Sequence, residues 1–117
     1  MQIQQFIRVA KAVSDPGRVK ILKLLESRDL CVCEIRELVG LAQPTVSKHL
    51  KILEEAGLVE SAKIGQWVNY RLAGEAASEP AKAMLGYLRQ SLDDDPELIT
   101  LRGRLPFVDR ETLCGGR

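Results

Sequence analysis

Apolar residues recur at helical spacing through the first half of the chain. Ile3, Phe6, Ile7, Val9, Ala10 and Val13 form one broad face, which predicts a helix over residues 2–13. "SDPGR" (14–18) breaks that helix and starts another. Asp15 is a good N-cap, and Pro16 suits the first helical position because its missing N–H costs nothing there. The second helix is expected to reach about Ser27, with Val19, Ile21, Leu22, Leu24 and Leu25 largely buried. A third, short helix is predicted from Val32 to Val39, capped by Asp29 and ended by Gly40. "LAQPTVSKHLKILEEAGL" (41–58) predicts a fourth, with Val46, Leu50 and Leu53 on its inner face and Gly57 as a left-handed cap.

The period then changes. "LVESAKI" and "WVNYRL" are short strand-like runs flanking Gly65–Gln66, the signal of a β-hairpin. Helical spacing returns over 78–92, with Ala81, Met84, Leu85 and Leu88 on one face, and "DDDP" (93–96) stops it. The rest reads as a tail with at most one short helical turn. Two helices across a short turn at Gly40–Leu41, followed by a hairpin, give the order of a winged helix-turn-helix: mostly α with a small β-hairpin. The expected organisation is one domain over 1–92 and a C-terminal tail over 93–117 that carries Cys114.

Composition changes this picture little. Apolar residues make up 45% and charged residues 28%, an ordinary globular balance. No apolar run has the ~18 residues of a membrane span, and the amphipathic start lacks a secretory pattern, so no membrane association and a cytoplasmic location are expected. Three cysteines, an odd number, point to reduced thiols and not to a disulfide scaffold. The net charge is +1, but residues 1–72 carry 11 Lys/Arg against 8 Asp/Glu, while 73–117 carry 6 against 8.

The polar face of the fourth helix carries candidate chemistry. Gln43, Thr45, Ser47, Lys48 and His49 lie near its N-terminus, the part of a recognition helix that meets base edges in a major groove. Lys48, Lys51 and Arg36 are placed to neutralise phosphates. The hairpin tip, with Lys63 and Gln66, and then Asn69 and Arg71, would sit on flanking backbone; Trp67 reads as hairpin packing. A solvated face of an ordinary amphipathic helix has the same look, as does a winged helix used only for protein contacts.

"DPGRVKILKLL", "LCVCEI", "QPTVSKHLKILEEAGLVES" and "GQWVNYRL", in unbroken order over about residues 5–90, resemble the ArsR/SmtB family of metal-responsive repressors. The resemblance implies a homodimer joined through its first and last helices, and double-stranded operator DNA as partner. It implies no enzyme activity and no cofactor for DNA binding. It also implies release from the operator when a thiophilic metal or metalloid binds. Ala42 stands where the family often has a Ser N-cap.

"LCVCEI" is similar to the metalloid-binding segment of arsenical-resistance repressors, which carries Cys31 and Cys33 over as ligands of As(III) or Sb(III). Such repressors often hold a further cysteine in this helix. None follows here, and Glu37 stands four residues after Cys33. Cadmium and lead sensors of the family add cysteines from the N-terminal arm, and residues 1–30 have none. Zinc and nickel sensors use Asp and His on the last helix, and residues 78–92 have neither. Cys114 remains as a possible third thiolate of the soft-ion site. Two-sulfur binding by Cys31 and Cys33 alone, and simple core packing of the pair, stay open, as does a lead or cadmium inducer. A thiol–disulfide enzyme is the remote alternative, since no thioredoxin-like βαβ pattern surrounds the pair. On a regular helix the two thiols would point ~200° apart. Chelation is therefore expected to distort the start of the third helix.

Overall fold

The structure is a computed structural model and describes residues 2–113. Helix α1 (Ile3–Ala12) forms where expected, but only its Val9 and Ala12 side are buried. Helix α2 (Pro16–Leu25) starts as the sequence indicates. The Asp15 carboxylate accepts the Arg18 N–H at 3.2 Å, satisfying one of the donors that a helix start leaves without a partner. Helix α3 (Val32–Val39) ends at Gly40, whose φ of +73° lets its N–H reach the Arg36 carbonyl at 2.9 Å. Helix α4 (Gln43–Glu55) begins at Ala42 without a side-chain cap. It closes with Gly57 at φ +77°: the Leu58 N–H bonds the Leu53 carbonyl and the Gly57 N–H the Glu54 carbonyl, both at 3.0 Å. That paired reversal is the Schellman ending of a helix.

Strands β2 (Val59–Ile64) and β3 (Trp67–Leu72) pair antiparallel from Val59↔Leu72 to Ile64↔Trp67. Gly65–Gln66 is left as a two-residue loop, with Gly65 at φ +63° as such loops require. A third strand has no signal in the sequence. Residues Leu30 and Cys31 form β1, paired with Tyr70 and Asn69 of β3, so the sheet order is β1-β3-β2. Two residues are too few to show a period in the sequence.

Asp29 does not cap α3. Cys31 occupies the N-cap position in extended conformation (φ −93°, ψ 172°), and the Glu34 carboxylate reaches back to accept the Cys31 N–H at 2.9 Å. Strand pairing holds residues 30–31 and puts the N-cap at Cys31, two residues past Asp29.

Helix α5 (Glu79–Arg89), capped by Ser78, packs on α1 through a face that includes the buried Ala81, Leu85 and Leu88. The chain beyond it is more ordered than a tail with one turn. Helix α5 already ends at Arg89, capped by Gln90, short of the expected 92, so "DDDP" is not what stops it; it starts α6 (Pro96–Arg104), since Asp95 accepts the Leu98 N–H at 3.1 Å and Pro96 takes the first turn. A 3-10 turn (Leu105–Phe107) and the short helix α7 (Arg110–Leu113) follow. Leu98, Leu101, Leu105 and Val108 join the same core as Ile21, Leu24, Ile35, Leu50 and Leu58.

The return from α5 to α6 places Leu92 at φ +66°, a conformation that costs a leucine about 1–2 kcal/mol. A polar knot lies beside it. Lys23, fully buried, donates to the Leu88 carbonyl at 2.6 Å and pairs with Glu26 at 2.9 Å and Asp93 at 3.2 Å. Arg102 joins the same two carboxylates at 2.8 and 2.9 Å. A buried ammonium is tolerated only when so fully partnered. Among the described residues, no helix is long and apolar enough to cross a membrane.

Candidate nucleic-acid interface and thiol site

Two sides of α4 divide the labour. Val46, Leu50 and Leu53 are 0–1% exposed and seat the helix on the core. Gln43, Thr45, Ser47, Lys48 and Lys51 are exposed, as the sequence reading requires of side chains meant for a groove. Arg36 of α3 donates to the Gln43 side chain at 3.4 Å, joining the two helices across their turn.

His49 differs from the other candidates. Its side chain is 13% exposed and turns inward, toward the start of α2. Its Nδ1 lies 3.2 Å from an Arg18 guanidinium nitrogen and its Nε2 lies 3.6 Å from the Asp15 carboxylate. With Arg18 donating to Nδ1, the ring proton falls on Nε2, facing Asp15. Arg18 also donates to the Ala12 carbonyl at 2.7 Å and the Lys11 carbonyl at 3.2 Å. The end of α1, the start of α2 and helix α4 are thus tied at one point. A Cβ on Gly17 would lie 3.1 Å from both Asp15 Oδ2 and His49 Nε2, so this tie needs a small residue there.

The hairpin places Lys63 and Gln66 in solvent near its tip. Arg71 is exposed too, but pairs with Glu60 across the strands at 3.3 Å. Asn69 and Trp67 are held from the C-terminal side. Arg110 donates to the Asn69 side-chain oxygen at 2.7 Å, and its guanidinium lies 5.2 Å from the Trp67 ring centroid, a cation–π distance. No sequence signal linked residue 110 to the wing.

Cys31 and Cys33 do not share a helix turn. Cys31 belongs to β1 and is 3% exposed; Cys33 is the second residue of α3 and is half-buried. The expectation of a ~200° divergence therefore lapses. Burial pushes the Cys31 thiol above its ordinary value, and the negative charge of Glu34 adds to this; the N–H groups of Glu34 and Cys33 at the helix start pull the other way. Cys31 is a free thiol, whereas the Cys33 sulfur is held in a disulfide, against the reduced thiols that the odd cysteine count suggests, so Cys33 offers a thiolate only after reduction. Cys114 lies outside the described residues. The chain leading to it is placed: α7 packs against α3, and Leu113 lies against the core. Among the described residues, no three His, Cys, Asp or Glu side chains gather as an ion site.

Comparison with known proteins agrees with this architecture. Residues 15–61 match the family described as bacterial regulatory protein, arsR family. An uncharacterized HTH-type transcriptional regulator from Methanocaldococcus jannaschii is 43% identical over 75 residues, covering 63% of this chain and 84% of that one. The arsenical resistance operon repressor of Staphylococcus xylosus is 36% identical over 93 residues, covering 80% and 82%. Among solved structures, the homodimeric winged helix-turn-helix DNA-binding domain of a possible ArsR-family regulator from Mycobacterium bovis matches with a TM-score of 0.64 at 32% identity, covering 74% of this chain and 77% of that one. The apolar spacing, the winged helix-turn-helix and these relatives lead to one conclusion: the chain belongs to the ArsR family of DNA-binding transcriptional regulators.

Proposed function

We propose that the protein is the repressor of a metalloid-resistance operon, working in the cytoplasm, and that it leaves its operator when arsenite or antimonite binds cysteine thiolates. The observation that carries the reading is the position of Cys31 and Cys33. They flank the junction between β1, which pairs with the wing, and α3, which packs on the recognition helix. A ligand that draws the two sulfurs together acts on both DNA-reading elements. The relative from Staphylococcus xylosus, named for an arsenical resistance operon, supports the choice of inducer.

Gln43, Thr45 and Ser47 read base edges in this proposal, and Lys48, Lys51, Lys63, Gln66 and Arg71 meet the backbone. His49 sets the angle of the helix from behind. DNA binding needs no cofactor. The ligand set is Cys31, Cys33 and Cys114 in the reduced protein, three soft donors for a soft ion. The exchange is redox-neutral: trihydroxyarsenic and three thiols give one arsenic trithiolate and three waters.

A second copy is the partner of the α1–α5 face. Ile3, Phe6 and Ile7 of α1 are 81%, 54% and 41% exposed, and Tyr87 of α5 is 70% exposed. An apolar groove runs between the helices, lined by Phe6, Val9, Pro80, Met84 and Tyr87. The homodimeric relative from Mycobacterium bovis supports this assignment.

The test is fluorescence anisotropy of a labelled operator with reduced protein, titrated with arsenite, antimonite, cadmium and lead. Arsenite or antimonite releases the wild type. Cys31→Ser and Cys33→Ser bind DNA and no longer let go. Arsenic–sulfur coordination falls from three to two in Cys114→Ser. Release by cadmium or lead with none by arsenite would sink the metalloid assignment, and an unchanged three-sulfur site in Cys114→Ser would remove that ligand.

A further inference from the structure

A closed circuit of contacts joins the thiol segment to the wing through the C-terminal extension. The Cys31 N–H donates to Glu34 Oε1 at 2.9 Å. Glu34 Oε2 pairs with Arg28 at 3.3 Å, and the Glu34 side chain is only 6% exposed. Arg28 donates onward to the carbonyls of Leu105 at 3.3 Å and Val108 at 3.0 Å, the two ends of the bend between α6 and α7. Two residues later Arg110 grips the wing, by a 2.7 Å bond to Asn69 and by its guanidinium over Trp67. Asn69 closes the circuit, because its backbone pairs with Cys31 in the β1–β3 ladder.

We propose that residues 96–113 are a clamp that makes the position of the wing follow the thiol segment, with Arg110 as its wing-positioning residue and the Arg28–Glu34 pair as its latch. Two features favour a coupling role over simple packing. The path uses directional, charge-assisted bonds at each side-chain step, and such bonds have made and broken states where an apolar contact slides. It also meets the wing at Asn69, the residue that the thiol segment itself pairs with. Cys31 is the N-cap of α3, so drawing its sulfur toward another ligand disturbs the N–H that Glu34 holds. Glu34 then shifts on Arg28, and the bend at 105–108 loosens. The inference rests on the metalloid reading only for the identity of the trigger.

Trp67 is the single tryptophan of the chain and reports on the clamp without a label. The experiment is a double-mutant cycle on the full reduced chain, with Glu34→Gln, Arg110→Ala and the double variant. Acrylamide quenching of Trp67 and operator affinity are read without any metalloid. Glu34→Gln raises Trp67 quenching in the Arg110 background and adds nothing in the Arg110→Ala background. Arg110→Ala weakens operator binding by roughly threefold, the size an exposed cation–π contact sets, and loses footprint protection on the wing side. Arg110→Lys, which keeps a cation over the ring, restores most of both.

A Glu34→Gln effect on Trp67 that is absent, or equal in both backgrounds, overturns the clamp. An arsenite arm separates the two proposals. In Arg110→Ala the arsenic–thiolate absorbance forms as in wild type, while the ratio of operator affinities without and with arsenite shrinks. A wild type blind to arsenite refutes the inducer, and the quenching cycle still decides the clamp.

Discussion

The recognition helix and the wing meet the same DNA in the proposed mode, but the protein holds them in different ways. Helix α4 is seated by side chains that exclude water completely, and His49 and Arg18 lock it from behind. The wing has little beneath its outer half: Ile64 and Val68 are 53% and 42% exposed. It is kept in place by a backbone ladder to β1 and by the grip of Arg110. Apolar seating is insensitive to small changes elsewhere, whereas a ladder two residues long and one guanidinium can be tuned. The helix is thus the fixed reader and the wing the adjustable one.

The largest effect comes from removing the seat. Leu50→Ala takes away a fully buried side chain and is expected to cost about 2–5 kcal/mol in urea denaturation. A cost under about 1 kcal/mol would mean that α4 is not held by the core as described. His49→Gln comes next. It loses the Arg18 and Asp15 contacts, at a cost of about 1 kcal/mol. Operator affinity falls, but the base preferences found by binding-site selection stay the same; a changed preference would make His49 a reader.

The lysines test the contrast at finer scale. Lys48→Ala, Lys51→Ala and Lys63→Ala each lower the slope of log affinity against log salt by about one. The two helix changes combine independently with Arg110→Ala, while the Lys63 effect shrinks in that background. Independence for all three would remove the distinction between fixed and adjustable readers.

The smallest effect is in acid. Lys23 first, and Arg102 with it, hold the Asp93 carboxyl below its ordinary value of 3.8. A carboxyl lowered by folding adds stability that is fully present above the ordinary value and fades as pH drops below it. Asp93→Asn should flatten that part of the acid unfolding curve and leave stability near pH 7 less changed than Leu50→Ala does.

The two Asp–Pro helix starts explain what the sequence made legible. Asp15-Pro16 follows one apolar period and precedes another, so it reads as a restart. Asp95-Pro96 has the same chemistry and the same side-chain cap bond, with carboxylate-to-N–H distances of 3.2 Å at Asp15 and 3.1 Å at Asp95. It reads as a stop because Leu98, Leu101, Leu105 and Val108 are a sparse period among Gly, Pro and Arg. The recognition helix was legible because its inner and outer faces differ in polarity along its length. The inward turn of His49 was not, since polarity alone does not say which edge of a helix a ring takes. The link from residue 110 to residue 69 was hidden for another reason: it depends on a bend whose shape only tertiary packing sets.

The sheet order β1-β3-β2 leaves the wing with two open margins. One is covered for only two residues by β1. The other is β2, six residues long, whose outer edge has no strand beside it among the described residues. Such a margin invites another chain to add itself. Glu60, Ser61 and Lys63 stand along β2, so a charge or hydroxyl interrupts any extended stranger. In the proposed mode Lys63 then has two uses on one strand, a charge that guards an open edge and a contact to phosphate, and replacing it with valine would trade both for a sticky border.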